Sequence, residues 1–155
     1  MSAGLLCAVE CTWLNNPLFN FRIGKTTCIG LAMNTPAFKA NDLEKRFIRF
    51  AAAIVSLSSK LPRTLQGRHI SGQILRSGTA TAANYGEARG AESRADFIHK
   101  LKIVFKELNE TTIWLEIIIE SSWLSPENMA VIVAENRELC RIIAASIETA
   151  RGASD

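Results

Sequence analysis

Four stretches of helical apolar spacing, separated by short polar breaks, constrain the fold of this chain more than any other feature. Apolar residues recur every three or four positions through most of residues 41–151, the pattern of helices with one buried face. Nowhere do apolar and polar residues alternate as in a half-buried strand. The breaks near 61–68, 89–92 and 121–125 are short enough to make successive helices antiparallel. The sequence therefore predicts an all-α, up-down-up-down antiparallel four-helix bundle over residues 41–151.

Local signals predict where the first two helices begin and end. Asn41, with Glu44 three positions later, has the spacing of a capping box and predicts the start of the first helix. Pro62 disfavours helix at the preceding residue and ends that segment. The second helix is predicted from about His69 to Arg89. It is rich in small residues, which allow another backbone to approach closely (Gly78, Ala80, Ala82, Ala83 and Gly86).

The last two helices carry clearer start signals. Ser93 can cap the third helix while Asp96 reaches back to its first turn, and the apolar stripe continues to about Ser122. The fourth helix is predicted to begin after Ser125 as its cap. Pro126 suits the first helical position, and Glu127 places an acid in the first turn.

The two ends of the chain are predicted to lie outside the bundle. Residues 1–40 have no helical or strand period and contain Pro17, Pro36, Gly24 and Gly30, so we expect a poorly ordered extension. Initiation of translation at Met33 would make residues 1–32 an upstream addition to the fold. Residues 152–155 are expected to form a short tail.

Composition excludes several classes of protein. No window approaches the apolar length of a membrane span, and the N-terminus lacks the basic start of a signal peptide, so we expect a cytoplasmic protein. Three of the four cysteines lie in the first thirty residues, which is not a disulfide framework. A carboxylate-bridged metal centre needs several Glu and His ligands, of which only the pair Asp96 and His99 approaches the spacing. We therefore predict no metal, no cofactor and no catalytic residues.

The charges are unevenly distributed along the chain. Residues 39–76 hold eight Lys and Arg against Asp42 and Glu44, a balance of +6, whereas residues 77–155 hold eight against twelve acids, a balance of −4. Such asymmetry is typical of a face that binds nucleic acid or a complementary subunit. The candidates for phosphate contact are Lys45, Arg46, Arg49, Lys60, Arg63 and Arg68. An ordinary solvated helix face explains them equally well, since aromatic residues do not alternate with them.

One long polar segment resembles a known family. It runs from Gln73 to Lys100 and reads QILRSGTATAANYGEARGAESRADFIHK, followed by KELNET at 106–111 and by Trp114-Leu115. These residues closely resemble the four-helix-bundle protein family of intervening sequences in bacterial ribosomal RNA, and a looser similarity extends over 41–151. The chain departs from the family pattern at positions 80–82.

The resemblance implies a ring-shaped homopentamer without enzyme activity. A related branch, the accessory proteins of diversity-generating retroelements, works with a reverse transcriptase and its RNA, which makes such partners an expectation here. The family-motif residues of this chain are Gln73, Arg76, Ser77, Gly78, Asn84, Glu87, Ser93, Asp96, His99 and Lys100, and we predict that they form contacts between subunits.

Two functional hypotheses follow from the sequence. The first is a non-catalytic, oligomeric accessory protein that binds RNA or DNA through a basic face. The second is a structural or scaffold oligomer that binds a protein partner and no nucleic acid.

Overall fold

The computed structural model describes residues 36–152, with side chains from residue 41 onward. Over this range the chain forms four α-helices and no strand: α1 (Pro36–Ser58), α2 (Leu65–Arg89), α3 (Arg94–Glu120) and α4 (Pro126–Gly152). The predicted all-α class and the number of helices are confirmed. The predictions made for residues 1–35, including initiation at Met33, and for residues 153–155 lie outside the described range.

α1 begins five residues earlier than predicted. It starts at Pro36, whose fixed φ suits the first position of a helix. The capping box assigned to Asn41 and Glu44 is therefore wrong, because both residues lie inside the helix and their side chains instead accept hydrogen bonds from Arg89 of α2. The predicted apolar face of α1 is confirmed as core, with four large side chains buried (Phe47, Phe50, Ile54 and Leu57).

α2 also begins earlier than predicted, at Leu65 instead of about His69. The signal that the prediction missed is Thr64, which takes an extended conformation at the N-cap and accepts a hydrogen bond from the backbone N–H of Gly67. The end at Arg89 is confirmed, and Gly90 follows as the C-cap.

α3 and α4 begin where the sequence predicted. The hydroxyl of Ser93 accepts from the backbone N–H of Asp96 at 3.1 Å, and the Asp96 carboxylate accepts from the backbone N–H of Glu92. α4 starts at Pro126, as predicted. α3 ends at Glu120, two residues before the predicted Ser122. None of the described helices combines the length and the hydropathy needed to cross a bilayer.

Neighbouring helices contact each other with their residues in opposite order. Between α1 and α2, Ser58 lies beside Ser71, and Phe47 stacks on Tyr85 with 4.8 Å between ring centroids. α2 contacts α3, where Arg76 bonds Glu110 and Glu87 bonds Lys100. α3 contacts α4, where Arg94 bonds the carbonyl of Ala150 and Thr112 bonds Asn136. α1 contacts α4 much less than it contacts α2, and in the described residues no Cα atom of α1 lies within 8 Å of a Cα atom of α3.

The centre of the bundle contains a set of buried polar side chains. The hydroxyls of Ser77 on α2 and Thr111 on α3, both fully buried, lie 2.9 Å apart. Asn136 of α4 donates from Nδ2 to the carbonyl of Leu108 and to Oγ1 of Thr112, at 3.2 and 2.6 Å. The Asn136 Oδ1 atom is buried without a hydrogen-bond partner in the described residues. The other bonds join specific positions on neighbouring helices, so they disfavour any sliding of one helix along another.

Candidate nucleic-acid interface

The six predicted phosphate-contacting residues fall into three structural groups. Lys45 and Arg49 are exposed on α1, one turn apart. Lys60 and Arg63 are exposed in the α1–α2 connection, and Arg68 is exposed in the first turns of α2. The sixth residue, Arg46, is in a different environment.

The Arg46 guanidinium is held by a carboxylate of α4. Its Nε and Nη2 donate to the two oxygens of Glu135 at 2.5 and 2.8 Å, and the Glu135 side chain is only 6% exposed. A bidentate pair of this kind fixes both geometry and charge. It spans the sparse α1–α4 contact, so Arg46 serves to join two helices and is the least suited of the six residues to contact phosphate.

The other five cations have no carboxylate partner in the described part of the chain. No Asp or Glu occurs between positions 45 and 86. The nearest acids on α1 and α2 are Asp42, Glu44 and Glu87, and of these Glu44 and Glu87 pair with Arg89 and Lys100. From position 76 onward, by contrast, five cations of the described residues pair with carboxylates (Arg76, Arg89, Lys100, Arg141 and Arg151). The charge asymmetry of the sequence is therefore also an asymmetry of unpaired surface charge.

Lys60, Arg63 and Arg68 are here called the basic end. Arg63 and Arg68 line a shallow depression, and the exposed Lys60 lies between two of its other lining residues, Ser59 and Leu61, in the chain. Its volume is about 380 Å³, and serines, glycines, Leu61 and Pro62 line it together with the two arginines. The arrangement is held by local bonds: Arg68 donates from Nη1 to the carbonyl of Arg63 at 3.1 Å. Gly67 packs so closely on Pro62 that an added Cβ would lie 1.9 Å from the Pro62 carbonyl oxygen. The guanidinium and ammonium groups supply the hydrogen-bond donors, because the serine hydroxyls at the rim already donate to backbone carbonyls.

The family-motif residues gather along the outer seam between α2 and α3. Arg76 pairs with Glu110 at 3.2 Å, and Glu87 pairs with Lys100 at 3.2 Å, each pair joining the two helices of one chain. Arg76 and Glu87, which were predicted to contact a neighbouring subunit, therefore each have a partner of opposite charge within the chain.

Other motif residues have structural partners too. Ser77 and Gly78 are buried against α3 and α1, Asn84 donates to the carbonyl of Ala80, and Ser93 and Asp96 cap α3. Gln73 is partly exposed, and His99 is fully on the surface. Subunit contact by these residues stays a prediction.

The titration behaviour of this seam follows from its hydrogen bonds. Nε1 of Trp114 donates to Glu110, and this bond, assisted by Arg76, holds the pKa of the Glu110 carboxyl below its usual range. Away from this seam, burial raises the pKa of the Cys140 thiol on α4 and the pKa of the Tyr85 hydroxyl, which packs on Phe47 of α1. In the described residues no three His, Cys, Asp or Glu side chains converge as a metal site would require.

Comparison with known proteins places this fold in a family. A family model described as 23S rRNA-intervening sequence protein matches residues 39–145. The chain belongs to this family. A crystal structure of a protein of unknown function from the S23 ribosomal protein family of Bacteroides thetaiotaomicron VPI-5482 matches with a TM-score of 0.66 and 39% identity, over 71% of this chain and 98% of that one. No curated protein matches the chain.

Membership in the 23S rRNA-intervening sequence protein family confirms the resemblance seen in the Gln73–Lys100 segment. The match begins inside α1 and ends inside α4, so it includes the basic end, the α2–α3 seam and the Arg46–Glu135 pair.

Proposed function

We propose that this chain is a non-catalytic, self-assembling bundle that binds RNA or DNA through its basic end. The observation that carries the proposal is the placement of Arg63 and Arg68 at one depression, with the exposed Lys60 between its lining residues Ser59 and Leu61 in the chain. None of the three cations has a carboxylate partner in the described residues. Lys102, Lys106 and Arg137 also lack such a partner, but they are spread over α3 and α4. In this proposal the helices run up-down-up-down, and the subunits form a ring-shaped homopentamer.

The chemistry of the basic end suits phosphate better than it suits a neutral ligand. Arginine presents a planar fork of donors that matches the oxygens of a phosphate, and lysine adds a compact charge. Each phosphate that a cation neutralises releases condensed counterions, which makes binding strongly dependent on salt. The family description and the description of the Bacteroides relative both refer to ribosomal components, which agrees with a nucleic-acid partner.

The test is binding of short RNA and DNA probes to three forms of the chain, measured by fluorescence anisotropy at low salt. The triple variant Lys60→Ala, Arg63→Ala, Arg68→Ala is expected to lose at least about tenfold in affinity. The matched control is Lys102→Ala, Lys106→Ala, which removes two exposed cations of α3 that form no ion pair in the described residues, and it is expected to bind like the parent chain. Equal affinity of the triple variant and the parent would refute the assignment of the basic end.

A scaffold that binds a protein partner is the second candidate, favoured by exposed aliphatic residues on α1, α2 and α3 (Ile48, Val55, Leu65, Leu75 and Ile113). Such side chains contribute nothing to phosphate contact, whereas apolar patches are typical of protein–protein interfaces. Failure of every RNA and DNA probe to bind at low salt, with the fold and assembly intact, would favour this candidate over the first.

A further inference from the structure

The outer surface of α1 carries aliphatic side chains beside cations. Ile48 and Val55 are 56% and 48% exposed and lie two turns apart on the same side of the helix. Lys45 and Arg49 are exposed next to Ile48, and neither pairs with a carboxylate in the described residues. We call Lys45, Ile48, Arg49 and Val55 the α1 face. Two acids of α1 precede Lys45: Asp42 is exposed one turn before it, and Glu44, directly before it, pairs with Arg89 of α2.

The last turns of α3 carry an aliphatic side chain beside acids. Ile113 is 54% exposed. Glu116 and Glu120, three and seven residues later, are exposed, and neither pairs with a cation in the part of the chain that the structure describes. We call these three residues the α3 face. The lysines of the same helix, Lys100, Lys102 and Lys106, lie about two turns or more before Ile113, so the face itself is acidic.

The two faces match in spacing and in charge. Lys45 and Arg49 are four residues apart, as are Glu116 and Glu120, which is about 6 Å along a helix axis in each case. An exposed isoleucine adjoins each charged pair. Opposite charges around a small apolar centre are the arrangement of a specific interface, with a desolvated core and a charged rim that sets orientation.

The two faces cannot meet within one chain. α1 contacts α2 and α4, α3 contacts the same two helices, and in the described residues no Cα atom of α1 lies within 8 Å of a Cα atom of α3. They therefore lie diagonally across the bundle, with their exposed sides directed away from each other. A contact that joins two different patches of identical chains is heterologous, and it produces a ring where the rotation closes.

We propose that the α1 face of one chain binds the α3 face of a second copy. This inference rests on the self-association proposed above and adds the two surfaces that form the contact. It explains why aliphatic side chains stay uncovered on opposite sides of the bundle. It also leaves Lys60, Arg63 and Arg68, which lie beyond the last turn of α1 or on α2, available for a nucleic acid.

Charge reversal on each face, followed by the combined swap, tests the proposal. The variants are Lys45→Glu with Arg49→Glu, Glu116→Lys with Glu120→Lys, and all four changes together, with assembly measured by light scattering and native mass spectrometry at low salt. Each double variant sets like charges against each other and is expected to raise the apparent dissociation constant between subunits at least about tenfold. The fourfold variant restores opposite charges and is expected to regain the oligomer. Arg137→Glu, on the exposed side of α4, is the control and is expected to assemble normally.

The outcomes separate this inference from the proposed function. A parent chain that is monomeric at all concentrations would overturn both the proposed self-association and the contact between the two faces. A parent oligomer that neither double variant weakens would overturn only the choice of faces. Loss of assembly in both double variants without rescue in the fourfold variant, while far-UV circular dichroism shows intact helices, would also count against direct pairing of the faces.

Discussion

Replacing Gly78 by alanine tests the close packing of α2 on α1. An alanine Cβ at this position would lie 2.7 Å from both Cγ1 and Cγ2 of Ile54 and 3.0 Å from its Cβ. Ile54 is fully buried, and these atoms adjoin its backbone, so no rotamer change removes all three contacts. The two helices must separate to admit one methyl group.

The magnitude follows from two opposing effects. Alanine in a helix interior stabilises by about 1 kcal/mol relative to glycine. Overpacking of a filled core costs about 1–3 kcal/mol. Gly72 of the same helix provides the control, because an added Cβ there meets nothing within 4 Å. Gly72→Ala is therefore expected to stabilise the chain by about 1 kcal/mol. The free energy of unfolding of Gly78→Ala is expected to be lower than that of Gly72→Ala by about 1–3 kcal/mol.

Urea unfolding followed by circular dichroism, at one fixed protomer concentration, measures the difference. Ile54→Ala removes the two γ carbons that the new methyl would strike, so the double variant Gly78→Ala, Ile54→Ala is expected to be more stable than the sum of the two single changes predicts. Equal stability of Gly78→Ala and Gly72→Ala would refute the reasoning.

Three further predictions concern a cap, an ion pair and a titrating carboxyl. Ser93→Ala removes the hydroxyl that caps α3 and is expected to cost about 1 kcal/mol of unfolding free energy in the same urea assay. Arg46→Met leaves the carboxylate of Glu135 buried without its bidentate partner, so a loss of up to about 3 kcal/mol is expected, whereas an unchanged urea midpoint would show that the pair adds nothing. Trp114→Phe removes the main donor to Glu110 and is expected to raise the pKa of that carboxyl, as followed by NMR. Because the pKa of Glu110 is lowered in the folded state, its ionised carboxylate stabilises the fold. This stabilisation is present above the unfolded-state pKa and is lost as pH falls through the folded-state pKa. A Glu110 titration that is unshifted in Trp114→Phe would contradict the role of Trp114.

The sequence predicted the starts of α3 and α4 because their signals act locally. A serine cap needs only the backbone N–H groups of the first turn that follows it, so its effect can be recognised from three or four consecutive residues. The start of α1 was missed for the opposite reason. Asn41 and Glu44 have the spacing of a capping box, but they bind Arg89, which is 48 positions from Asn41. No local pattern distinguishes these two uses of the same side chains.

The same difference between local and distant partners limits how much of the candidate site the sequence predicts. Lys45, Arg46 and Arg49 look alike in the sequence, yet Arg46 finds a buried carboxylate 89 positions away while the other two stay on the surface. The concentration of cations in the first half was visible from composition. Their unpaired state depends on the folded arrangement of the acids, which composition does not contain.

The sequence only weakly indicates that some aliphatic side chains are exposed. Ile48 and Val55 interrupt the polar side of α1 two turns apart, and Ile113 stands just before two acids. Residue type alone does not distinguish these three from the buried aliphatic residues of the same helices. Only the packed structure shows that they lie outside the core.

The dependence of nucleic-acid affinity on salt tests the central claim most directly. If Lys60, Arg63 and Arg68 each neutralise a phosphate, a plot of log affinity against log salt for the parent chain has a negative slope, and the triple alanine variant flattens it by about 2–3, since each contact contributes about 0.7–0.9. The control Lys102→Ala, Lys106→Ala keeps the parent slope. A slope that is the same in the parent chain and the triple variant would contradict the account, because the basic end would then make no contact with phosphate.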